Sequence, residues 1–320
     1  MAAGTGCFLL SVLPPLVVPD LVRQRAMANG AAGIAWLDGL PDLVHLLTTQ
    51  WDLELGPTLH GGTAAFVAAA TDRKGRACVL KVAMALDLEG REAFDRSLVT
   101  HRLAGGRACA ELLASDDATM ALVLERLGPN LADLGLPLPQ LLDIVAATLR
   151  EFWRPVPADC GLPTGADKAA WLIDYVTRTW EELGRPCSPA VVDRAVDYCA
   201  ERAAAFDSEH AVLVHGDAHG WNTVDAGDGT YKFGDPEGLR SEPAHDLSVP
   251  MREYNEPLLA GDTVRLVRER AEGLAAPCGI DPEPVWQWGF IERVSTGLAN
   301  LREFDGAGGR AFLEVAARCL

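Results

Sequence analysis

Hydrophobic and polar positions divide the chain into a strand-rich first part and a helix-rich second part. Between Trp51 and Leu127 the apolar residues form short runs, and the segment Asp72–Gly75 between two of these runs has the residues of a hairpin turn. Short apolar runs bounded by turn residues are typical of β-strands. The predicted elements of this part are strands at Thr63–Thr71, Arg76–Ala83 and Ala118–Leu127 and a helix at Leu88–Leu103.

In the second part, apolar residues recur every three or four positions, as they do on the buried face of an amphipathic helix. Helices are predicted at Leu141–Trp153, Lys168–Leu183, Pro189–Phe206, Glu256–Ala275, Glu283–Phe304 and from Arg310 to the C-terminus. Between Ala211 and Gly234 the spacing returns to that of short strands. The segment Gly135–Pro139 is typical of a hinge or linker between the two parts.

This pattern predicts an α+β fold with two units. The first unit, residues 1–127, is small and rich in β-strands, and its residues 1–35 form an extension of unclear role. The second unit, residues 128–320, is larger and mainly helical, with a short sheet embedded in it. The chain contains no internal repeat and no low-complexity segment.

The composition restricts the class of protein. Hydrophobic residues make up 49% of the chain and charged residues 23%, which excludes a disordered chain, a collagen-like fibre and a coiled coil. The formal net charge is -17. Because such an acidic surface repels phosphate backbones and anionic lipids, we expect neither nucleic acid nor a membrane as a partner. A polycationic small molecule is compatible with this charge.

The cysteines and the N-terminal segment bear on the cellular compartment. The eight cysteines are scattered and include no Cys-x-x-Cys pair, which argues against a disulfide framework and against a zinc motif. The apolar run Cys7–Val18 has no basic residue before it, is interrupted by prolines and is too short to span a bilayer. We therefore expect reduced thiols in a cytoplasmic protein.

The segment Val214–Glu237, with the sequence VHGDAHGWNTVDAGDGTYKFGDPE, holds most of the residues suited to chemistry. Its histidines His215 and His219 have the spacing of zinc ligands on a helix. However, Gly216 and Gly220 contradict a helix there, and the glutamate of the His-Glu-x-x-His motif is absent. A zinc hydrolase built on these histidines is therefore a distant alternative.

Two carboxylates and one amide in this segment suit a hard cation and a proton acceptor. Asp217 lies on a loop after a strand, five residues before Asn222, and Asp235 ends the next pair of strands. One hairpin can bring all three side chains to its open end. Oxygen ligands of this kind suit Mg²⁺ when waters and phosphates complete the shell. A carboxylate that stands free of the metal can accept a proton from an attacking hydroxyl. Taken singly, each residue also fits a role in capping a loop or starting a turn.

The pattern His-Gly-Asp-x-x-x-x-Asn, followed by a strand and Asp-Pro-Glu, resembles the aminoglycoside phosphotransferase family, relatives of the protein kinases. The run Asp235–Asp246 is most similar to the branch with streptomycin 6-phosphotransferases and hydroxyurea kinases. The resemblance extends from about Trp36 to the C-terminus. It implies a two-lobed protein-kinase-like fold and transfer of the γ-phosphoryl group of ATP or GTP to a hydroxyl of a small molecule.

The resemblance also implies a role for each matching residue of this segment. Asp217 matches the catalytic aspartate, and Asn222 and Asp235 match the two magnesium ligands. His215 matches a loop histidine with a structural role, and Asp246 matches an aspartate that supports the catalytic loop.

The first part of the chain supplies candidates for binding the nucleotide phosphates. Lys81 lies inside an apolar strand, where a lysine costs free energy unless it is paired, and phosphoryl transfer needs a cation at the phosphates. Glu92, eleven residues later, resembles the family's partner of this lysine. Glu89 lies one turn earlier on a similar face and is the competing candidate, although we favour Glu92.

Two backbone segments complete the predicted nucleotide site. The loop Gly61, Gly62 and Thr63 can let backbone amides approach the phosphates, although the chain has no G-x-x-x-x-G-K-[ST] motif. The segment from Glu125 to Leu127 ends the last strand of the first part. The resemblance implies that its backbone groups hold the adenine edge.

The expected acceptor is cationic and rich in hydroxyl groups, as an aminoglycoside-like antibiotic is. Glu237, Glu242 and Glu253 follow the metal motif and, with the net charge and the resemblance, favour such an acceptor. One alternative is a metabolic kinase of an amino sugar or another small alcohol on the same fold. Another is a nucleotide-binding pseudokinase, although the chain retains the lysine and all three oxygen-bearing residues. The oligomeric state is not indicated.

Overall fold

The computed structural model of the protein describes residues 16–59, 62, 64–303 and 307–320. The chain divides into two compact units. Unit 1 comprises the described residues up to Phe94 together with Leu112–Arg126, and unit 2 comprises Asp95–Glu111 and Leu127–Leu320. Unit 2 thus includes a segment that precedes residue 127 in the sequence.

The elements of unit 1, including the helix α3 that continues into unit 2, are α1 (Asp20–Ala28), α2 (Gly30–Gln50), β1 (Leu53–Thr58), β2 (Ala65–Asp72), β3 (Ala77–Ala83), α3 (Leu88–Ala104), β4 (Leu112–Asp116) and β5 (Ala121–Glu125). The strands form a five-stranded sheet with the order β1-β2-β3-β5-β4, in which every neighbouring pair is antiparallel. The predicted hairpin is therefore confirmed as β2 and β3.

Helices α1 and α2 are not predicted by the sequence pattern. They occupy residues 20–50, and all of α1 and the start of α2 lie in the segment 1–35 that the pattern assigns to an extension. Glycines at positions 30, 33 and 39 and Pro41 interrupt the helical signal of α2, because both residue types have low helix propensity. Packing decides the outcome, since Leu40, Val44 and Leu47 of α2 are buried in one core with the sheet.

Strand β3 shows how the sheet of unit 1 divides its side chains between two faces. Cys78, Leu80 and Val82 are fully buried and share the core with α2. Lys81 alternates with them and therefore projects from the opposite face, where it is half-buried and pairs in register with Val67 of β2. The strand thus places the lysine on the sheet face that α2 does not cover.

Unit 2 is mainly helical, and its further elements are α4 (Leu138–Phe152), α5 (Gly165–Glu182), α6 (Pro189–Ala204), β6 (Val212–Val214), β7 (Thr223–Gly227), β8 (Thr230–Phe233), β9 (Leu239–Ser241), α7 (Pro243–Arg252), α8 (Asn255–Ala260), α9 (Thr263–Ala275), α10 (Pro282–Glu303) and α11 (Ala307–Arg318). Its strands form two short two-stranded sheets, β6-β9 and β7-β8. A strand-rich unit and a helical unit confirm the predicted α+β class.

Two local predictions for unit 2 need correction, and two of its elements are not predicted. The single helix predicted at Glu256–Ala275 is two helices, because the chain turns at Gly261 and the side chain of Asp262 caps α9 by accepting the N–H of Arg265 at 3.2 Å. The predicted linker Gly135–Pro139 ends inside the first turn of α4, where proline is tolerated. The sequence pattern also does not predict β9 or α7.

Helix α10 lies at the centre of unit 2. It packs against α5, α6, α7, α9 and α11. It is buried nearly all round from Val285 to Leu298, as expected of a helix surrounded by others. This position also buries two charged residues, Glu292 and Arg293, which are 5% and 1% exposed. Among the described residues, no helix combines the length and the apolar composition that crossing a membrane requires.

Candidate active site

The loop from His215 to Asn222 connects β6 to β7 and carries three of the predicted site residues, His215, Asp217 and Asn222. Asn222 directly precedes β7 and Asp235 follows β8 after one residue. Thr223 of β7 pairs with Phe233 of β8, and the N–H of Gly234 donates to the carbonyl of Asn222 at 2.8 Å. The hairpin therefore brings Asn222 and Asp235 to the same end, as predicted from their spacing.

Both carboxylate oxygens of Asp217 accept hydrogen bonds. Nη2 of Arg252 donates to Oδ1 at 2.5 Å, and Nδ2 of Asn222 donates to Oδ2 at 3.0 Å. Nε2 of His219 lies 3.2 Å from the same Oδ2. The Nδ1 of His219 accepts the N–H of Trp221, which leaves the proton on Nε2 and makes it a third donor to the carboxylate. The side chain of Asp217 is nevertheless 26% exposed.

These contacts set the charge of Asp217. Burial alone would raise the pKa of its carboxyl group, but the guanidinium of Arg252 and the imidazole of His219 outweigh burial and hold the pKa well below its ordinary value. Burial likewise opposes the charge of Arg252, but Asp217 and Glu292 raise the pKa of the guanidinium. Asp217 is therefore ionised at neutral pH and accepts hydrogen bonds through both oxygens.

His215 ties the loop to the end of β8. Its Nδ1 accepts the N–H of Asp217 at 3.2 Å, and its Nε2 donates to the carbonyl of Gly234 at 3.0 Å. The ring is fully buried and packs edge-on against Phe152, with Phe233 also beside it. Burial lowers the pKa of His215 to about 4, so that the ring is neutral at pH 7. Because both nitrogens are engaged in the loop, His215 has no nitrogen left for zinc.

Asp246 supports the loop from α7. Its Oδ2 accepts the N–H of His215 at 2.8 Å and the indole Nε1 of Trp153 at 2.9 Å, while its Oδ1 accepts the N–H of Gly216 at 2.8 Å. Gly216 has φ +85°, and a Cβ there would lie 3.0 Å from the Cβ of Glu237. The tight loop therefore depends on a glycine for its backbone and on a buried carboxylate for its N–H groups.

The donor set of Asn222 and Asp235 suits a hard cation. The Nδ2 of Asn222 donates to the carbonyl and to Oδ2 of Asp217, so its Oδ1 is the atom left to bind a cation. Asp235 is exposed and has φ 54°, a conformation that costs free energy for a residue with a Cβ. Nowhere in the described part of the chain do three His, Cys, Asp or Glu side chains gather as a metal site. One carboxylate and one amide oxygen therefore fit an ion whose remaining ligands come from substrate and water.

The acidic residues expected to bind the acceptor differ in their surroundings. Glu237 is 47% exposed and pairs with Lys168 of α5 at 3.3 Å. Glu253 is 30% exposed and lies 3.5 Å from Nε of Arg252. Glu242 accepts the indole Nε1 of Trp288 at 2.8 Å and pairs with Arg202 at 3.3 Å. Glu242 is thus the member of the three that makes several contacts within the fold.

The described residues expected to bind the nucleotide lie in unit 1, except Leu127, which belongs to unit 2. Lys81 is in β3, and Glu92 and Glu89 are both exposed positions of α3. Glu125 is the last residue of β5 and Leu127 follows it by two positions, both half-buried. Gly62 is exposed, whereas Gly61 and Thr63 lie outside the described residues. These assignments stay predictions.

The structure adds residues that the sequence analysis misses. Arg252 contacts Asp217, and Glu292 contacts Arg252. Trp153 donates to Asp246, and Lys168 pairs with Glu237. Only Glu292 leaves a signal in the sequence, because it and the adjacent Arg293 are charged residues inside a mostly apolar stretch of α10. The others come together through helix packing.

A family model and individual relatives agree on the family of proteins that this chain resembles. A family model described as aminoglycoside/hydroxyurea antibiotic resistance kinase matches residues 50–303. The chain is 26% identical over 302 residues to the streptomycin 6-kinase of Streptomyces glaucescens, and the match covers 94% of each chain. It is 29% identical over 273 residues to the hydroxyurea phosphotransferase of Kitasatospora aureofaciens, covering 84% of this chain and 75% of that protein.

Solved structures give the fold. The macrolide 2′-phosphotransferase of Brachybacterium faecium matches with a TM-score of 0.55 and 19% sequence identity, covering 88% of this chain and 98% of that chain. At this identity the likeness concerns the fold alone. The predicted protein-kinase-like fold is thereby confirmed.

Proposed function

The chain belongs to the aminoglycoside/hydroxyurea antibiotic resistance kinase family, and from this membership we propose that it transfers the γ-phosphoryl group of ATP to a hydroxyl of an aminoglycoside-like antibiotic. As a member of this family the chain is a phosphotransferase that uses a nucleotide and a small acceptor with a hydroxyl group. The choice of ATP and of Mg²⁺, the class of acceptor and the role of each residue are the parts that we propose.

The arrangement of Asp217 and Asn222 is the observation that supports this proposal best. The amide nitrogen of Asn222 donates to the carboxylate of Asp217 at 3.0 Å, so the two side chains have different roles. Asn222 presents its Oδ1 to a cation, and Asp217 keeps a carboxylate off the metal. In the reaction the acceptor oxygen bonds to the γ-phosphorus, the bond from that phosphorus to the bridging oxygen breaks, and the acceptor proton passes to Asp217. Since the transition state of phosphoryl transfer is loose, orientation of the hydroxyl contributes more than strong basicity.

Asn222 and Asp235 would hold Mg²⁺. The ion, when bound, neutralises charge on the phosphates and fixes their orientation. Asn222 would contribute an amide oxygen, and Asp235 a carboxylate at the end of β8. The hydrogen bond between the backbones of Gly234 and Asn222 keeps the two ligands adjacent.

Lys81, held by Glu92, would bind the nucleotide phosphates. The backbone of Lys81 is fixed because β3 pairs with a neighbouring strand on each side. This restricts the positions that its ammonium group can reach. The backbone of Gly61, Gly62 and Thr63 would approach the phosphates, and that of Glu125 to Leu127 would hold the base.

Glu237 is the acid that we favour for contact with a cationic acceptor. It follows the metal ligand Asp235 by two residues, and nearly half of its side chain is exposed. Glu253 lies beside Arg252, and Arg252 in turn contacts the proposed base Asp217. Glu253 is therefore separated from Asp217 by a single side chain. Glu242 would act indirectly, because its carboxylate already accepts from Trp288 and Arg202.

The experiment that tests the proposal is a screen of nucleotide consumption with the purified full chain. ATP and GTP would be offered with aminoglycosides, amino sugars, choline-like alcohols and hydroxyurea, and the phosphorylated product would be identified by mass spectrometry. The variant Asp217→Asn tests the proposed base, and a mock purification from cells that lack the chain controls for activity from contaminants. Phosphorylation of an aminoglycoside by the parent chain alone supports the proposal. Phosphorylation of only a metabolic alcohol would contradict the proposed acceptor, and full turnover by Asp217→Asn would contradict the proposed base.

A further inference from the structure

Arg252, the last residue of α7, joins two acidic residues that are far apart in the sequence. Its Nη2 donates to Oδ1 of Asp217 at 2.5 Å, and its Nη1 donates to Oε2 of Glu292 at 2.7 Å. The side chains of Arg252 and Glu292 are only 13% and 6% exposed. Because the guanidinium is planar and its donors form a rigid fork, the two contacts fix each other's direction. The orientation of Asp217 therefore depends on Glu292 of α10.

The backbone at Arg252 is held by two further guanidinium groups. The last carbonyls of a helix lack partners within the helix. Here Nη1 of Arg270 donates to the carbonyls of Met251 and Glu253 at 3.2 and 2.6 Å. Arg293 donates to the carbonyl of Arg252 at 3.2 Å and also to that of Met251. Positive charge at a helix C-terminus is favourable, and these two residues fix the point from which the Arg252 side chain starts.

The net charge of the three contacting side chains leaves Asp217 able to accept a proton. Asp217, Arg252 and Glu292 together keep one negative charge, the same as an isolated carboxylate. Arg252 can therefore orient Asp217 without cancelling the negative charge that receives the acceptor proton. A buried ion pair contributes little net stability compared with apolar residues of the same size. The main contribution of Arg252 and Glu292 is therefore to fix the orientation of the Asp217 side chain, and not to stabilise the fold.

We propose that Arg252 and Glu292 are positioning residues that hold the carboxylate of Asp217 in its productive orientation. This inference rests on the proposed function, in which Asp217 receives the acceptor proton. Arg252 fixes Oδ1, while Asn222 and His219 fix Oδ2. Loss of Glu292 would let the guanidinium turn fully to Asp217, and loss of the guanidinium fork would let the carboxylate rotate.

The test measures kcat and KM of Glu292→Gln, Arg252→Lys and Asp217→Asn, with each of the first two also combined with Asp217→Asn. Glu283→Gln is the matched control, because Glu283 lies in the same helix α10 and pairs with Arg268 at 2.6 Å on the surface. Circular dichroism and thermal unfolding establish that each variant is folded. If either Glu292→Gln or Arg252→Lys fails to fold, the other variant still tests the proposal.

We expect kcat to fall about tenfold or more in Glu292→Gln and Arg252→Lys, with the nucleotide KM within about twofold of the parent value. Glu283→Gln should match the parent. In the Asp217→Asn background neither change should lower the residual rate further, because both act through that carboxylate. Unchanged kcat in the single variants, or the same fractional loss in the Asp217→Asn background, would overturn the positioning role while the proposed function stands. Parent-like turnover of Asp217→Asn itself would overturn both.

Discussion

The carboxylate of Asp246 lies behind the loop of His215 and accepts its backbone N–H at 2.8 Å. The same carboxylate accepts the N–H of Gly216 and the indole of Trp153, and it is fully buried. Burial raises the pKa of Asp246 to about 6, although these three hydrogen bonds oppose the rise. The loop that carries Asp217 is thus anchored by a carboxylate that bulk solvent does not reach.

Replacing Asp246 should therefore destabilise the protein strongly. Asp246→Ala leaves two backbone N–H groups and an indole N–H buried without an acceptor, and each such group costs about 1–3 kcal/mol. We expect the free energy of unfolding to fall by at least about 3 kcal/mol in chemical denaturation. Asp246→Asn should cost less, because an amide oxygen still accepts on one side.

The control for this prediction is Asp72→Ala. Asp72 also accepts two backbone N–H groups, those of Lys74 and Arg76, but in an exposed turn where water can replace the carboxylate. This variant should lose about 1 kcal/mol or less. Equal losses for Asp72→Ala and Asp246→Ala would contradict the anchoring role.

Mutation can distinguish between Glu92 and Glu89 as the partner of Lys81. Lys81→Ala should raise the nucleotide KM and lower kcat/KM by at least about tenfold, because the ammonium group is expected at the phosphates. Glu92→Ala should reproduce this defect more mildly. Glu89 is equally exposed on the same helix, so Glu89→Ala is the matched control and should resemble the parent. If Glu89→Ala instead gives the Lys81 defect, the assignment of the partner is wrong.

The loop and the hairpin of the site were predictable because they are local. His215, Asp217 and Asn222 lie within eight residues, and the pairing of β7 with β8 brings Asp235 beside them through a short turn. Chain connectivity therefore restricts their positions before any packing is considered. The strands of unit 1 were predictable for the same reason, since an apolar alternation and a turn define the hairpin.

Arg252 and Glu292 were not predictable because packing alone brings them together. They lie forty residues apart on α7 and α10, and their contact depends on how these helices cross in unit 2. The helices α1 and α2 escaped prediction for a related reason. In α2, glycine and proline weaken the local signal, and the buried contact of Leu40 and Val44 with the sheet decides the structure.

Removal of the proposed metal ligand Asp235 should change the metal requirement before it changes the fold. Asp235→Asn keeps the size of an exposed side chain but removes its charge, so the affinity for Mg²⁺ should fall. We expect activity to need at least about tenfold more Mg²⁺ and EDTA to abolish the parent activity. Asp228→Asn, at the tip of the same hairpin, is the control. A parent-like Mg²⁺ titration of Asp235→Asn would exclude it as a ligand.

His245 should make the protein sensitive to acid. Its ring is fully buried beside Trp288, and neither ring nitrogen has a hydrogen-bond partner among the described residues. Burial lowers the pKa of His245 to about 3 and that of His215 to about 4, whereas it raises that of Asp246 to about 6. An unfolded histidine has a pKa near 6.5.

The sign of the pH dependence follows from these pKa values. Near pH 5 the unfolded chain binds two histidine protons that the folded chain does not, and the folded chain binds one proton on Asp246 that the unfolded chain does not. For these groups the free energy of unfolding therefore falls by about 1.4 kcal/mol for each unit of decreasing pH.

His245→Phe should remove one of these protons and both unpartnered nitrogens. We expect the variant to be more stable by about 1–2 kcal/mol at pH 7, with its advantage widening by about 1.4 kcal/mol per unit between pH 6 and pH 4. Urea denaturation at several pH values measures both effects. His45→Phe, at an exposed position of α2, should follow the parent curve. Parallel curves for His245→Phe and the parent would contradict the assignment of a buried neutral histidine.

A cationic acceptor should bind less tightly as salt increases. The net charge of -17 and the exposed carboxylate of Glu237 favour a cation, but each exposed ion pair contributes only about 0–1 kcal/mol. Between about 0.1 M and 1 M salt the Debye length falls from about 10 Å to about 3 Å. We therefore expect the acceptor KM to rise about threefold to tenfold over this range.

Variants of two glutamates separate a local contact from the general charge of the protein. Glu237→Gln should raise the acceptor KM at low salt and reduce its dependence on salt, because the variant lacks one of the contacts that salt screens. Glu182→Gln removes the same charge from the exposed end of α5, where Glu182 lies 3.9 Å from Arg178, and should leave both quantities unchanged. Equal effects of the two variants would indicate long-range attraction by the net charge. A neutral best acceptor, or a KM indifferent to salt, would defeat the cationic acceptor while leaving the phosphotransferase assignment intact, because that assignment depends on the family match and on the fold.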